Sequence, residues 1–167
     1  GSLGTDGQHL LSAGAGVTNI FETVAAAGGK IGQVVQSSIV TTEQTTTSAT
    51  FVDCTGLTLD ITPAATSSKI WVICNVPMKS ATGSYFSAFT MIRESTNIGL
   101  TSDVGMGKVF SGGYQVDILA ANILDSPSTT SEITYKLQFL RQAGGGTSTW
   151  VSFQDAPSYI TAFEVLA

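Results

Sequence analysis

From Lys30 to the end, the chain runs in short segments rich in β-branched and aromatic residues, parted by clusters of Gly, Pro, Asn, Asp and Ser. Such runs punctuated by turn formers are the pattern of strands joined by turns. Strands are predicted over 31–41, 48–53, 57–62, 68–77, 84–94, 97–101, 107–111, 114–124, 131–141, 147–153 and 157–166. No long stretch keeps a 3.6-residue apolar period without a breaker, so crossover helices are not expected and the sheets should be antiparallel. Regular spacing of short strands indicates a sandwich or a barrel.

Alternation shows which faces meet water, because successive side chains of a strand point to opposite sides. Ile133, Tyr135, Leu137 and Phe139 alternate with Thr134, Lys136 and Gln138, as in a sheet covered on one side. Three other segments, Ile70 to Cys74, Ile118 to Leu124 and Tyr159 to Val165, are apolar on both faces. Something must cover their second side: loops of the same chain, or a neighbouring copy that buries the area at about 25 cal/mol per Å². The candidate contact residues between copies are Trp71, Ile118, Ile123, Tyr159 and Phe163.

Residues 1–29 differ from the rest: they are rich in Gly and Ala, with few large apolar residues. They read as a stalk or linker preceding a knob domain at 30–167. A short helix from Asn19 to Ala27 is the alternative, with Thr18 or Asn19 as its cap and Glu22 in the first turn. In the run from Thr41 to Thr50, six of ten residues are threonine. High β-propensity without an apolar template suits an exposed sheet edge.

Charged residues make up only 11% of the chain, against about 25% in an average soluble domain. The deficit fits a surface partly covered by partners. Net charge is −5, and seven scattered Lys and Arg residues form no stripe for a phosphate backbone, so nucleic acid is not an expected ligand. No run of eighteen apolar residues exists, and no membrane insertion is expected. Cys54 and Cys74 either pair with one another or stay as buried thiols; two cysteines make no disulfide framework.

Chemistry is sparse. His9 is the only histidine and lies in the Gly-rich leader, away from any cysteine, so neither a metal site nor a Ser-His-Asp triad is expected. No carboxylate pair stands out for glycoside cleavage. Asp53, Asp125 and Asp155 sit at strand ends, where a short acid commonly serves a turn. Glycines at 105 and 107, 112 and 113, and 144–146 lie between strands as hairpin connections, not before a helix as a phosphate loop would. No catalytic residue, metal or cofactor is assigned. Tyr85, Tyr114 and Trp150, amphipathic rings near turns, together with Asp155, are the candidate contacts for a glycan or protein ligand.

Several stretches carry a family resemblance. They are Gly4-Thr5-Asp6-Gly7-Gln8 with Ser12-Ala13-Gly14-Ala15-Gly16; Gly29-Lys30-Ile31-Gly32-Gln33-Val34-Val35-Gln36; Ile61-Thr62-Pro63 with Thr66-Ser67-Ser68-Lys69-Ile70; and Leu124-Asp125-Ser126-Pro127 with Thr134-Tyr135-Lys136. The closing Ser158-Tyr159-Ile160-Thr161-Ala162-Phe163-Glu164-Val165 is similar too, although Ala162-Phe163 stands where Leu-Met is usual. In these, nearly the whole chain resembles the C-terminal knobs of tail fibres from tailed phages.

The resemblance implies an all-β, antiparallel jelly-roll-like sandwich that forms a homotrimer. It implies a place on the virion surface, tail or capsid, after synthesis in the host cytoplasm, and contact with other virion proteins through the N-terminal segment. Attachment to a host surface glycan or protein is the leading expectation. A purely structural capsid fibre or decoration protein is the alternative, and a polysaccharide-degrading enzyme a minor one.

Overall fold

The computed structural model describes residues 8–11, 20–23, 30–80, 85–99, 105–111, 115–141 and 148–167. Two short strands, β1 (Gln8–Leu11) and β2 (Ile20–Thr23), form an antiparallel hairpin. This corrects the alternative helix from Asn19, since residues 20–23 are extended and paired; the rest of that span lies outside the described residues.

The knob contains β3 (Ile31–Gln36), β4 (Gln44–Thr46), β5 (Val52–Ile61), β6 (Lys69–Ser80), β7 (Tyr85–Arg93), β8 (Thr96–Asn97), β9 (Gly107–Ser111), β10 (Gln115–Asp125), β11 (Ile133–Arg141), β12 (Thr149–Val151) and β13 (Tyr159–Val165). β6 is the spine of the first sheet. β10 runs along one side of it; β13 and β12 follow one another along the other, and β3 and β4 lie outermost beside them. A single bridge, Val40 to Ser158, continues the β3–β4 edge. The second sheet runs β5, β11, β7, with β8 and β9 sharing the far side of β7.

With end-to-end segments taken together, each layer is four strands wide. Every connection from β4 onward changes layer, except the β7–β8–β9 turn and the β12–β13 connection. Two antiparallel sheets woven in this way are a jelly roll. Between them lies the core, including Leu57, Ile70, Met78, Phe89, Met91, Tyr135, Leu137 and Ile160. Ile133, Tyr135, Leu137 and Phe139 are all buried, as their alternation requires.

Several boundaries differ from the sequence expectation. The segments 48–53 and 57–62 are one strand, β5, because Gly56 takes a positive φ of 79° and bulges the strand instead of ending it. The strand expected over 31–41 stops at Gln36, and of that expected over 97–101 only Asn97, in the two-residue β8, is in a strand among the described residues, with 100 and 101 outside them. Gly105 needs its φ of 61°, and a Cβ there would meet the backbone carbonyl of Phe89, which already accepts the Met106 N–H at 2.8 Å. The glycines at 112, 113 and 144–146 lie outside the described residues.

Cys54 and Cys74 are free and buried. They sit in β5 and β6, one in each sheet. β7 shows how loops of one chain can cover a second face: Phe86, Ala88 and Leu140, with Phe51 beside them, form a small apolar cluster apart from the main core.

Candidate functional site

The three segments that read as apolar on both faces are β6, β10 and β13, and they lie side by side. Their second faces therefore merge into one surface, the outer face of the first sheet. Pairing register sets its rows. Val34 stands opposite Phe163, Phe163 opposite Trp71, and Trp71 opposite Leu124, an apolar row across all four strands. The Trp71 and Phe163 rings lie 5.5 Å apart, tilted by 39°. Trp71 is 38% exposed, Leu124 53% and Val34 55%.

The next rows are Gln36, Thr161, Ile73 and Asn122, then Tyr159, Asn75 and Ala120. Ile118, 67% exposed, and Val116 continue the apolar surface along β10. Lys69 and Lys79 stand at the two ends of β6, and the outward positions between them are uncharged. The outer face of the second sheet is different: Asp53 and Lys136 pair there at 2.8 Å, and Asp60 accepts the Thr134 hydroxyl. Its contact with Lys136 and then Gln138 holds the Asp53 carboxyl below its ordinary pKa. Charge is thus sorted onto one face and kept off the other.

Trp71, Ile118, Tyr159 and Phe163 all belong to the uncharged face. Ile123 does not: its side chain is half-buried and packs against the core. In the run Ile118 to Leu124 both parities are apolar, and only the β6 pairing decides which one turns outward.

Of the candidate receptor residues, Tyr114 and the side chain of Tyr85 lie outside the described residues. Trp150 and Asp155 are near one another in the chain, on β12 and in a following 3-10 turn, Phe153–Asp155. The Lys79 ammonium lies 4.4 Å from the ring centroids of both Trp150 and Phe153. Ser152, Gln154 and Asp155 all take positive φ, near 50–60°. The turn is pinned beneath by the Ser152 hydroxyl, which donates to the Val40 carbonyl at 3.1 Å and is hydrogen-bonded to the Ser158 hydroxyl at 2.9 Å. Lys79 and Phe153 were not singled out from sequence, because nothing local announces a contact between β6 and residue 153.

Asp155 does lie in a turn, but Asp53 and Asp125 do not serve turns. Asp53 binds across β5 and β11 to Lys136 and Gln138. Asp125 accepts both bonds of Arg93 at 2.8 Å and the Tyr135 hydroxyl at 2.7 Å. Burial, then this bond to Asp125, raises the Tyr135 pKa well above its ordinary value.

Glu164 was also missed. Its carboxylate is 1% exposed and accepts the Ala64 N–H at 2.6 Å and the Gln33 amide at 2.8 Å. The signal was present, since Glu164 shares its parity with buried Ile160 and Ala162. Burial pushes its pKa up, but the bonds from Gln33 and Ala64 outweigh that and leave it lowered. Among the described residues, no three His, Cys, Asp or Glu side chains gather as metal ligands.

No protein-family model matches the chain, and no curated protein sequence matches it. Among solved structures, it is similar to that of the infectious bursal disease virus Gt strain, at 11% identity and a TM-score of 0.44, covering 94% of this chain and 46% of that one. T=1 particles derived from infectious bursal virus align at 12% identity and 0.40, over 95% and 41%. The VP2 subviral particle of infectious bursal disease virus aligns at 12% and 0.39, over 94% and 46%. The chain spans less than half the length of these proteins. Similarity this distant assigns neither family nor function.

Proposed function

We propose that this chain is a virion structural protein, the knob of a tail fibre, which assembles as a homotrimer and mediates attachment to the host surface without catalysis. The uncharged outer face of the β10–β6–β13–β3 sheet carries the reading. Strands about 4.8 Å apart, with β10 and β6 running the roughly 33 Å from Lys69 to Lys79 and the shorter β13 and β3 beside their first half, give a footprint of about 500 Å². A standard protein interface takes about 800 Å² from each partner, and charge is depleted at its centre. Left in water, such a face is a liability; against further copies, it is an interface. The number three and the place on a virion come from the resemblance to tail-fibre knobs. So does the role of the N-terminal segment in joining the knob to other virion proteins.

Light scattering on the purified chain at micromolar concentration tests the assembly. The expected mass is three times 17.3 kDa; a stable monomer overturns the reading. Adsorption of labelled knob to susceptible cells, with competition against infection, tests attachment. A trimer that adsorbs to no host, and whose antibody leaves infection intact, is instead a capsid fibre or decoration protein. Release of reducing ends from host polysaccharide would establish an enzyme.

A further inference from the structure

We propose that the β1–β2 hairpin of one copy adds to the free edge of β10 in the next copy, extending its sheet. The inference rests on the assembly proposed above and names where copies are joined.

β10 pairs with β6 at every position from Gln115 to Asp125, and among the described residues nothing pairs with its other side. The strand reads QVDILAANILD, with no Pro, Gly, Lys or Arg to discourage pairing. A long apolar edge of this kind is a template for another strand. The opposite edge of the same sheet is handled differently. It is broken into six-residue β3, the lone bridge at Val40 and three-residue β4, amid threonines. Among the described residues, one edge is blunted and the other is unpaired. Alongside β10 runs a cleft of about 420 Å³, lined by Ile98, Met106, Ala121 and Ile123 among others, with room for side chains of an added strand.

The hairpin has the complementary need. Among the described residues, β1 and β2 belong to no sheet but their own, in register from Gln8 and Thr23 to Leu11 and Ile20. A two-stranded hairpin is at best marginally stable alone in water. It needs a further strand, and β10 offers one.

The uncharged face and symmetry choose between a chain's own β10 and its neighbour's. Residues 24–30 join Thr23 to Ile31 and extend to about 25 Å at most. β3 and β10 are opposite margins of the sheet, so a hairpin serving its own β10 would cross the uncharged face that the copies share. Passing to the next copy leaves that face clear. Hairpin-to-β10 joining is head-to-tail, the kind of contact from which cyclic rings such as the proposed trimer are built, whereas β10 against β10 would give two-fold pairs.

Hydrogen exchange on the full chain, compared with Ile20→Pro, tests the proposal. In the wild type, the amides of Gln115 to Asp125 that point away from β6 should be protected. In Ile20→Pro they should exchange about tenfold faster or more, while those bonded to β6 are unchanged. Equal rates in the two proteins overturn it. A second measurement covers misfolding of the proline variant. Differently tagged chains carrying Glu22→Cys and Asn122→Cys are co-assembled and oxidised. A disulfide between the two tags is expected; its absence, or a bond formed only within a chain carrying both cysteines, overturns the proposal. A trimer that fails these tests sinks hairpin docking alone, whereas a monomer sinks the assembly as well.

Discussion

Arg93 holds Asp125 through one guanidinium nitrogen, 2.8 Å from each carboxylate oxygen, and so ties β7 of one sheet to the end of β10 in the other. Both side chains are largely buried, with relative exposures of 25% and 11%, and the buried Tyr135 hydroxyl completes the group. Removing the carboxylate leaves a cation and a phenol without their partner. Asp125→Ala should therefore destabilise the fold by about 2–4 kcal/mol, at the lower side of a fully buried pair because Arg93 keeps some contact with solvent. Urea unfolding should show a lower midpoint with an unchanged slope; a midpoint equal to wild type would refute this role.

The surface residues predict the opposite separation. Ile118 is 67% exposed and contributes little to the core. Ile118→Lys should shift folding stability by no more than about 0.5 kcal/mol, while placing a charge on the uncharged face. Sedimentation velocity should show the assembly weakened about tenfold or more, in line with the cost of desolvating a charge at an interface. Unchanged assembly would move the interface elsewhere.

Glu164 gives the fold an acid limit. Its folded-state pKa lies below the ordinary glutamate value of 4.5. Its stabilising contribution is then complete above that value and is lost as pH falls through it toward the folded-state pKa. Glu164→Gln carries no such dependence. Melting temperature followed from pH 6 downward should fall less steeply for the variant, though the variant starts lower because an amide cannot accept from both donors. Parallel slopes would remove Glu164 as the cause.

The cysteines should be inert in the native state. Burial pushes the Cys74 thiol up to about 11, and burial raises Cys54 well above its ordinary value. Because the thiolate is the reactive form, a thiol reagent at pH 8 should label neither until the chain is unfolded. Reductant should leave the melting temperature unchanged. Rapid labelling of the folded protein would contradict this burial.

How far these features were legible in the sequence depends on how local their causes are. Side-chain alternation has a period of two, so β11 could be read as one-sided and β6, β10 and β13 as two-sided without any knowledge of their neighbours. Glu164 was equally readable, since its parity matches Ile160 and Ala162, yet an acid in an apolar strand attracts a surface assignment. Ile123 was not readable: where both parities are apolar, alternation carries no sign. Nor could Thr55-Gly56 be told from a turn, because a glycine at positive φ serves a bulge and a hairpin equally well.

The sequence by itself determined an all-β antiparallel chain with an uncharged, two-sided set of strands, because those properties are set by residues close along the chain. Only the tertiary structure decided that the three two-sided strands are neighbours, that Trp71, Phe163, Val34 and Leu124 share one row, and that Arg93 reaches Asp125. It also decided that, among the described residues, the β3–β4 edge is broken while the outer side of β10 is unpaired. These are matters of which strands pair and in what register. Such long-range pairings are chosen by how the two sheets close over a common core, which no local pattern records.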